Sequence, residues 1–243
     1  MLSVLAYNIH FGKKIDQIEK WLLKNPTKFD IMCLQEFPFC KDSAFLEKLK
    51  EHGFDYKFAP SSFLTKPRGN KNQYGELTVF KKSVLELLDS TTIKLGANFL
   101  EKRFRVAGEK TSLLTVFKYK NQKLVLTNSQ LVCYAFNSRR INQISKIIKK
   151  VKDLGDRDHS NFSTVILGDF NYTSRIRQKK LIEFMENNDL INAYKSHTHK
   201  YFFVRQQLDY VFYNDCLIKN VRIGKKIKFS DHSPVTFNIE FVK

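Results

Sequence analysis

The stretch "VILGDFNYTS", residues 165–174, places an acid and an amide directly behind a run of β-branched and aliphatic residues. Such a run is typical of a buried strand, because β-branched side chains pack well on a pleated surface. Asp169 and Asn171 therefore follow the end of a predicted core strand. Strand ends are positions where a rigid scaffold can bring polar side chains together in one cleft.

Further apolar runs of strand length recur along the chain, and helical patterns lie between some of them. The runs are LSVLAYN, DIMCLQE, ELTVF, SLLTVFKY, KLVLTNSQL, STVILGD, LDYVFYN and PVTFNIEFV. Apolar residues at helical spacing predict helices over residues 14–25, 43–53 and 139–155, and a fourth near 178–187. Many strands with a few interspersed helices predict an α/β or α+β sandwich whose sheets are covered by helices.

Length and composition indicate a single globular domain over residues 1–243, which we expect to be a monomer. Forty-two per cent of the residues are apolar, and there is no internal repeat, low-complexity segment or linker rich in Pro, Gly and Ser. No apolar stretch approaches the ~18 residues that a bilayer crossing needs. We therefore expect no transmembrane segment.

The start of the chain and its cysteines predict an intracellular protein, cytoplasmic or in the nucleus or nucleoid. In the opening "MLSVLAYNIHFGKK" the lysines follow the apolar run, which is the reverse of the order in a signal peptide. We therefore expect no signal peptide. The cysteines are scattered and lack CxxC spacing, which favours reduced thiols.

The chain is strongly basic, with 42 Lys and Arg against 24 Asp and Glu and a formal net charge of +18. This balance favours a polyanionic partner, either nucleic acid or an anionic membrane face. A compositional bias of the host is a second explanation, because Lys greatly outnumbers Arg and because Asn, Ile and Phe are abundant. Only the position of the charges relative to a site can separate the two explanations.

Three residues at the ends of apolar runs are candidate metal ligands. Asn8 ends the first run, Glu36 ends the second, and Asp231 shortly precedes the last. Their hard oxygen atoms suit Mg²⁺ or Mn²⁺, which binds through one or two carboxylates and keeps positions for water and substrate phosphate. Each residue alone also fits a structural role, such as an Asx turn at Asn8.

Four further residues complete a set for metal-assisted hydrolysis of a phosphate ester. Asp169 can accept a proton from an attacking water, and Asn171 can hold that water or a phosphoryl oxygen. His232 can contact the phosphate when it is charged. Asp209, in "LDYVF", would raise the pKa of His232 and fix its tautomer.

Five short motifs occur in order between residues 4 and 235: LAYNIH, CLQE, LGDFN, LDYVF and SDHSPV. Together they resemble the endonuclease/exonuclease/phosphatase superfamily, which includes deoxyribonuclease I, abasic-site endonucleases, deadenylases, neutral sphingomyelinases and inositol polyphosphate 5-phosphatases. The resemblance implies a four-layer α/β sandwich, with two mostly antiparallel β-sheets packed face to face and flanked by helices. It places the active site in a cleft at one end of the sheets and implies the same roles for the seven residues above.

The chain departs from the family pattern at Gln130. Many members have NTHL where this chain has NSQL, and the histidine of that motif contacts the phosphate or assists the leaving group. A glutamine amide can donate a hydrogen bond to a phosphoryl oxygen but cannot act as a general acid. Tyr74, in "QYGEL", resembles the tyrosine of a Tyr-x-Glu motif in deoxyribonuclease I, and the resemblance implies that Tyr74 contacts the phosphate. Relatives also place a phosphate-binding arginine near Arg103 and Arg105, and Arg105 is our candidate.

Three basic segments border the motifs in the sequence, and we expect them to form a positive rim around the cleft. Such a rim would steer a polyanion to the site and favour binding through counterion release. The rim candidates are Arg68, Lys71, Arg175, Arg177, Lys225 and Lys226.

The sequence therefore predicts a phosphodiesterase that depends on Mg²⁺ or Mn²⁺ and hydrolyses nucleic acid, with DNA favoured over RNA. One alternative is an inositol phosphatase or a sphingomyelinase-like lipid phosphodiesterase. The Trp-containing motif of the former and the membrane anchors of the latter are not found in the sequence. The other alternative, suggested by Gln130, is a homologue that binds nucleic acid but has weakened catalysis.

Overall fold

Strands and helices follow one another in the order that the apolar runs predict. The computed structural model describes residues 1–24, 28–39, 43–61, 73–97, 109–158, 161–201, 204–224 and 230–242. The strands are β1 (Leu2–Asn8), β2 (Ile31–Phe39), β3 (Phe54–Ser61), β4 (Gln73–Lys81), β5 (Glu86–Gly96), β6 (Lys110–Tyr119), β7 (Gln122–Gln130), β8 (Ser163–Asp169), β9 (Ile191–Asn192), β10 (His199–Tyr201), β11 (Val204–Gln206), β12 (Asp209–Asn214), β13 (Cys216–Ile223) and β14 (Val235–Phe241). The helices are α1 (Ile15–Lys24), α2 (Ala44–Glu51), α3 (Asn137–Asp158) and α4 (Arg175–Glu186), and a 3-10 turn spans His10–Gly12.

The strands form two mixed six-stranded sheets and one small hairpin. The first sheet has the order β13-β14-β1-β2-β4-β3, and the second has the order β5-β6-β7-β8-β12-β9. Each sheet contains one parallel pair, β1 with β2 and β7 with β8, and all its other pairs are antiparallel. Strands β10 and β11 pair antiparallel as a separate two-stranded sheet, and His199 of β10 also forms an isolated antiparallel bridge with His232.

Side chains that alternate along the inner strands build three apolar layers. In β1, Val4 and Ala6 pack in the core between the two sheets, and Leu5 and Tyr7 pack with α1 and α2. A third core joins the outer face of the second sheet to α3 and α4. The resulting order of helices, sheet, sheet and helices confirms the predicted four-layer α/β sandwich.

The four predicted helices are present, with small differences at their ends. Helix α4 begins at Arg175, slightly before the predicted start, because the hydroxyl of Ser174 accepts a hydrogen bond from Arg177 N at 3.3 Å and caps the first turn. None of the described helices combines the length and the apolarity that a bilayer crossing requires.

The parallel pair of β7 and β8 brings two of the predicted site residues side by side. The two backbones approach closely at Gly168, where an added β carbon would lie 1.9 Å from the carbonyl oxygen of Ser129, and Gly168 has a φ of +136°. Only glycine fits such a position. One residue further along, Gln130 pairs with Asp169 at the strand ends.

Candidate active site

A cleft opens where β1, β2, β7 and β8 end, beside the segment that precedes β14, and its volume is about 470 Å³. The cleft is lined by Asn8, His10, Phe11, Glu36, Lys110, Gln130, Cys133, Tyr134, Asp169, Asn171, Thr173, His199, Gln206, Leu208, Asp231 and His232. Seven of the predicted site residues are in this lining, although they lie far apart in the sequence.

Asp169, the last residue of β8, is a buried carboxylate held by three hydrogen bonds. Its Oδ1 accepts from Asn171 N at 3.0 Å, and its Oδ2 accepts from Asn171 Nδ2 at 3.2 Å and from Asn8 Nδ2 at 3.0 Å. Asn171 adopts a φ of 55°, which turns its side chain back toward Asp169 and is tolerated by asparagine better than by most residues. Asn8 and Asn171 therefore fix the direction of this carboxylate.

His232 faces Asp169 and is held from behind by Asp209. The His232 Nδ1 lies 2.8 Å from Asp209 Oδ2, and its Nε2 lies 3.9 Å from Asp169 Oδ2. Asp209 does not line the cleft itself but pairs with Asp169 across β8 and β12. We call Asp169, Asn171, Asp209 and His232 the Asp169 flank of the cleft.

The pKa values on this flank favour a carboxylate that faces a cation. Burial raises the pKa of Asp169 to about 6, and the His232 cation opposes that rise. Burial alone would lower the pKa of His232, but the Asp209 carboxylate, aided by Asp169, raises it to about 10. At neutral pH the carboxylate is therefore mostly ionised and the imidazole is protonated.

Glu36 reaches the cleft through an irregularity in β2. The register with β4 shifts between Leu34 and Phe37, so that the strand carries one extra residue, and Glu36 has a φ of 57°. Such a bulge re-aims a side chain. The Glu36 Oε2 accepts a hydrogen bond from Phe11 N at 2.9 Å, and its Oε1 accepts one from Gln130 Nε2.

Gln130 links this carboxylate to a lysine that sequence reasoning missed. The Nζ of Lys110, the first residue of β6, donates to Gln130 Oε1 at 2.6 Å, and Lys110 is buried. The Gln130 amide therefore binds Glu36 on one side and an ammonium on the other. We call Glu36, Lys110 and Gln130 the Glu36 flank of the cleft.

Asp231 lies between two histidines that the sequence did not single out as site residues. His10 Nδ1 lies 2.7 Å from Asp231 Oδ1, and His199 Nε2 lies 3.5 Å from Asp231 Oδ2. Burial would raise the pKa of Asp231, but the hydrogen bonds from both histidines hold it far below its ordinary value. Ligand atoms of His199, Asp231 and His232 lie within 4.8 Å of one another, so this group could also hold a metal ion.

The three predicted metal ligands offer a donor set that fits a hard divalent cation. Asn8, Glu36 and Asp231 all line the cleft. Each carboxylate or amide oxygen has two lone pairs. The hydrogen bonds that these oxygens accept therefore leave lone pairs that can bind a metal ion. Oxygen donors of this kind suit Mg²⁺ or Mn²⁺.

The remaining predicted residues either do not line the cleft or fall outside the part of the chain that the structure describes. Tyr74 is buried in β4 outside the lining, and its ring packs edge-on against Phe11 with centroids 5.9 Å apart. Arg175 and Arg177 are exposed at the start of α4, a few residues after Asn171. Five candidates fall outside the described residues: Arg68, Lys71, Arg105, Lys225 and Lys226.

Comparisons with known proteins identify the family and the fold of the chain. A family model described as "Endonuclease/Exonuclease/phosphatase family" matches residues 5–232. The catalytic domain of human Nocturnin with a bound sulfate anion is 19% identical, with a TM-score of 0.73, and the alignment covers 99% of this chain and 93% of that one. A mannosyl-6-phosphatase from Bacteroides thetaiotaomicron is 16% identical, with a TM-score of 0.72 and coverage of 99% and 100%. ANGEL2, a 2',3'-cyclic phosphatase, is 14% identical, with a TM-score of 0.72 and coverage of 98% and 94%.

No curated protein is a significant match to the sequence. The likeness to solved structures establishes the fold alone, because the identities are low. The family match spans nearly the whole chain, and members of the family are phosphoric ester hydrolases that generally use divalent metal ions. The chain therefore belongs to the endonuclease/exonuclease/phosphatase family of phosphoesterases.

Proposed function

We propose that this protein is a divalent-metal-dependent phosphodiesterase that hydrolyses nucleic acid, DNA in preference to RNA, as a monomeric single domain inside the cell. The observation that carries the proposal is the distance of 3.9 Å between His232 Nε2 and Asp169 Oδ2. A proton acceptor and a cation at this distance can contact an attacking water and a phosphoryl oxygen of the same phosphate.

Asp169 is the proposed acceptor of the proton from the attacking water. Its carboxylate is ionised at neutral pH and is oriented by three N–H donors, so it needs little reorganisation during the reaction. Both amide hydrogens of Asn171 are used, one on Asp169 and one on the carbonyl oxygen of Leu131 at 3.0 Å. Its carbonyl oxygen is then the atom that can accept a hydrogen bond from the water and direct it in line with the leaving group.

Two cations are available for the charge that develops on the phosphoryl oxygens. Asp209 binds Nδ1 of His232 and keeps the ring charged, while Nε2 faces the cleft. Lys110 brings an ammonium to the Glu36 flank, where a histidine at residue 130 is missing. Cations that are held in place before the reaction stabilise a transition state more effectively than water does.

Glu36, Asn8 and Asp231 would hold the divalent ion, Mg²⁺ or Mn²⁺, in the cleft. When bound, the ion supplies a positive charge that polarises the phosphoryl group and stabilises oxyanions. Addition of EDTA should therefore abolish turnover, and Mg²⁺ or Mn²⁺ should restore it.

The charge of the protein supports a polyanionic substrate. The formal net charge is +18, and two of the rim candidates, Arg175 and Arg177, are exposed on α4 beside the Asp169 segment. Neutralisation of several phosphates by such side chains releases counterions, which favours a strand with many phosphates over a single phosphate group. A nucleic acid meets this description better than a sugar phosphate does.

The test is a turnover panel with Mg²⁺ and with Mn²⁺. The substrates are plasmid DNA, an abasic duplex, single-stranded RNA, phosphoinositides, sphingomyelin and mannose 6-phosphate. The Asp169→Ala variant, purified in the same way, controls for contaminating nucleases. We expect cleavage of DNA by the wild type, weaker cleavage of RNA, and no cleavage by the variant.

Activity that is confined to the lipids or to mannose 6-phosphate would reject the nuclease assignment. Tight binding of DNA with no turnover of any substrate would favour the homologue with weakened catalysis. Equal cleavage of DNA by the wild type and by Asp169→Ala would trace the activity to a contaminant.

A further inference from the structure

The loop of residues 131–136 joins β7 to α3 at the mouth of the cleft, and we call it the aromatic loop. It carries two exposed aromatic side chains, Tyr134 at 60% and Phe136 at 79% exposure, and Tyr134 also lines the cleft. An aromatic side chain that stays exposed to water lacks the large stabilisation that burial of its ring would give. Two of them on one short loop beside a reaction site indicate a surface that a ligand covers.

A buried arginine holds the aromatic loop in one shape. Arg140 is only 1% exposed, and its guanidinium donates hydrogen bonds to the carbonyl oxygens of Val132 at 2.9 Å, Ala135 at 3.1 Å and Cys133. A guanidinium is costly to bury unless its donors find acceptors, so the shape of the loop and the position of Arg140 depend on each other. The loop is therefore preorganised, which lowers the entropy cost of binding a ligand.

One contact joins the aromatic loop to the segment that follows Asp169, and a second joins that segment to Arg140, which holds the loop. The carbonyl oxygen of Leu131, where the loop begins, accepts a hydrogen bond from Asn171 Nδ2 at 3.0 Å. The Arg140 guanidinium lies 5.5 Å from the centre of the Tyr172 ring. Because Tyr134 and Asp169 line the same cleft, a group that contacts this part of the loop would lie beside a phosphate bound at Asp169.

The charge around the aromatic loop indicates the chemistry of the ligand. Arg177, exposed on α4, is close enough to Arg140 to contribute to the lowering of its pKa, which is caused mainly by burial. A flat apolar group that is joined to negative charge matches this combination of aromatic rings and cations. A nucleotide has both features, whereas a lipid acyl chain has neither the flat face nor regularly spaced charge.

We propose that Tyr134 stacks on a nucleobase next to the scissile phosphate and that Phe136, further along the loop, contacts the following base. This inference rests on the proposed function and makes it more specific, because it selects an unpaired or displaced strand as the substrate. Stacking tolerates any base, so the aromatic loop would add affinity without sequence preference.

The test compares two oligomers of equal length and charge, a single-stranded oligonucleotide and an oligomer of abasic sugar phosphates. Tyr134→Ala should raise KM for the first by about 5- to 150-fold, the loss expected for one stacked base, and should leave KM for the second unchanged. Phe136→Ala should have a smaller effect of the same kind. Ile176→Ala is the matched control, because Ile176 is an apolar side chain on α4 with 74% exposure and no proposed contact.

A second measurement reports stacking without turnover. In the Tyr134→Trp variant, stacking on a base should quench indole fluorescence on addition of the oligonucleotide and not on addition of the abasic oligomer. Quenching in the absence of any strand cleavage would reject the nuclease assignment and retain the stacking site.

Strand cleavage with KM unchanged in Tyr134→Ala would reject the stacking site and retain the nuclease. Equal KM increases for both oligomers would also reject it, since the loop would then act only through the shape of the cleft. Loss of binding to anionic lipid vesicles in Tyr134→Ala, with oligonucleotide binding intact, would identify the aromatic loop as a membrane contact instead.

Discussion

The two flanks of the cleft hold their carboxylates in different ways. On the Asp169 flank, three N–H groups orient Asp169, and a histidine that Asp209 keeps charged faces it. On the Glu36 flank, Gln130 binds Glu36 and accepts a hydrogen bond from Lys110. The cation of this second flank is thus an ammonium on the neighbouring strand instead of an imidazole at residue 130. A strand end that carries a neutral amide can thus still have a cation beside it, supplied by the adjacent strand.

The largest expected effect is on the Asp169 flank, through Asp169→Ala. Loss of the proton acceptor should lower kcat on DNA by about 10³-fold, within the 10²–10⁴-fold that general bases contribute. The measurement is steady-state cleavage with Mg²⁺. Asp156→Ala, an exposed acid on α3, is the control. Circular dichroism should show both variants folded. A kcat that is unchanged in Asp169→Ala but lost in His232→Ala would exclude Asp169 as the base, because a contaminating nuclease would be equally active in both preparations.

The fold could be predicted where strands are buried on both sides. The eight apolar runs coincide with the eight inner strands of the two sheets. Seven of these strands are buried along most of their length, and β14 alternates buried apolar residues with partly exposed ones. The four edge strands were not predicted, and they are β3, β5, β9 and β13. An edge strand is partly solvated, as the exposed residues of β5 and β13 show, so its sequence lacks both the apolar run and a clear alternation.

The candidate site could be predicted where polar residues end apolar runs. Asn8, Glu36 and Asp169 interrupt such runs, so the sequence marks them. Lys110 begins its strand, among other lysines of a basic chain, and carries no such mark. His199 belongs to the short polar hairpin of β10 and β11, and only the tertiary fold brings it to Asp231.

A smaller effect is expected on the Glu36 flank, through Lys110→Met. Methionine has a side chain of similar length but no charge, so the change removes the buried ammonium and the hydrogen bond that it donates to Gln130 Oε1. We therefore expect kcat to fall by about 10- to 100-fold. Lys118→Met is the matched control, because Lys118 lies on the same strand with 51% side-chain exposure and pairs only loosely with Glu86 at 3.5 Å. Equal kcat values for the two variants would show that the second flank contributes no cation to the reaction.

The smallest expected effect is on the free energy of unfolding, through Glu76, which lies next to the Glu36 flank. This residue of β4 is fully buried, and burial raises the pKa of its carboxyl from an ordinary value of 4.5 to about 8, although Thr111 and Lys110 oppose the rise. Between these two pH values the folded chain holds a proton that the unfolded chain releases. The free energy of unfolding should therefore fall as pH rises through this window, by up to about 1.4 kcal/mol per pH unit for one proton.

Glu76→Gln should remove this contribution, because glutamine has the shape of the protonated acid and does not titrate. Urea unfolding of the wild type and the variant at pH 5, 6, 7 and 8 gives the difference in slope. Asp169, with a pKa raised to about 6, contributes in the same direction but equally in both proteins, so the slope difference belongs to Glu76. His232, with a pKa raised to about 10, contributes equally in both proteins and cancels. Parallel unfolding curves would mean that Glu76 ionises at its ordinary pH, with the ammonium of Lys110 compensating its charge inside the fold.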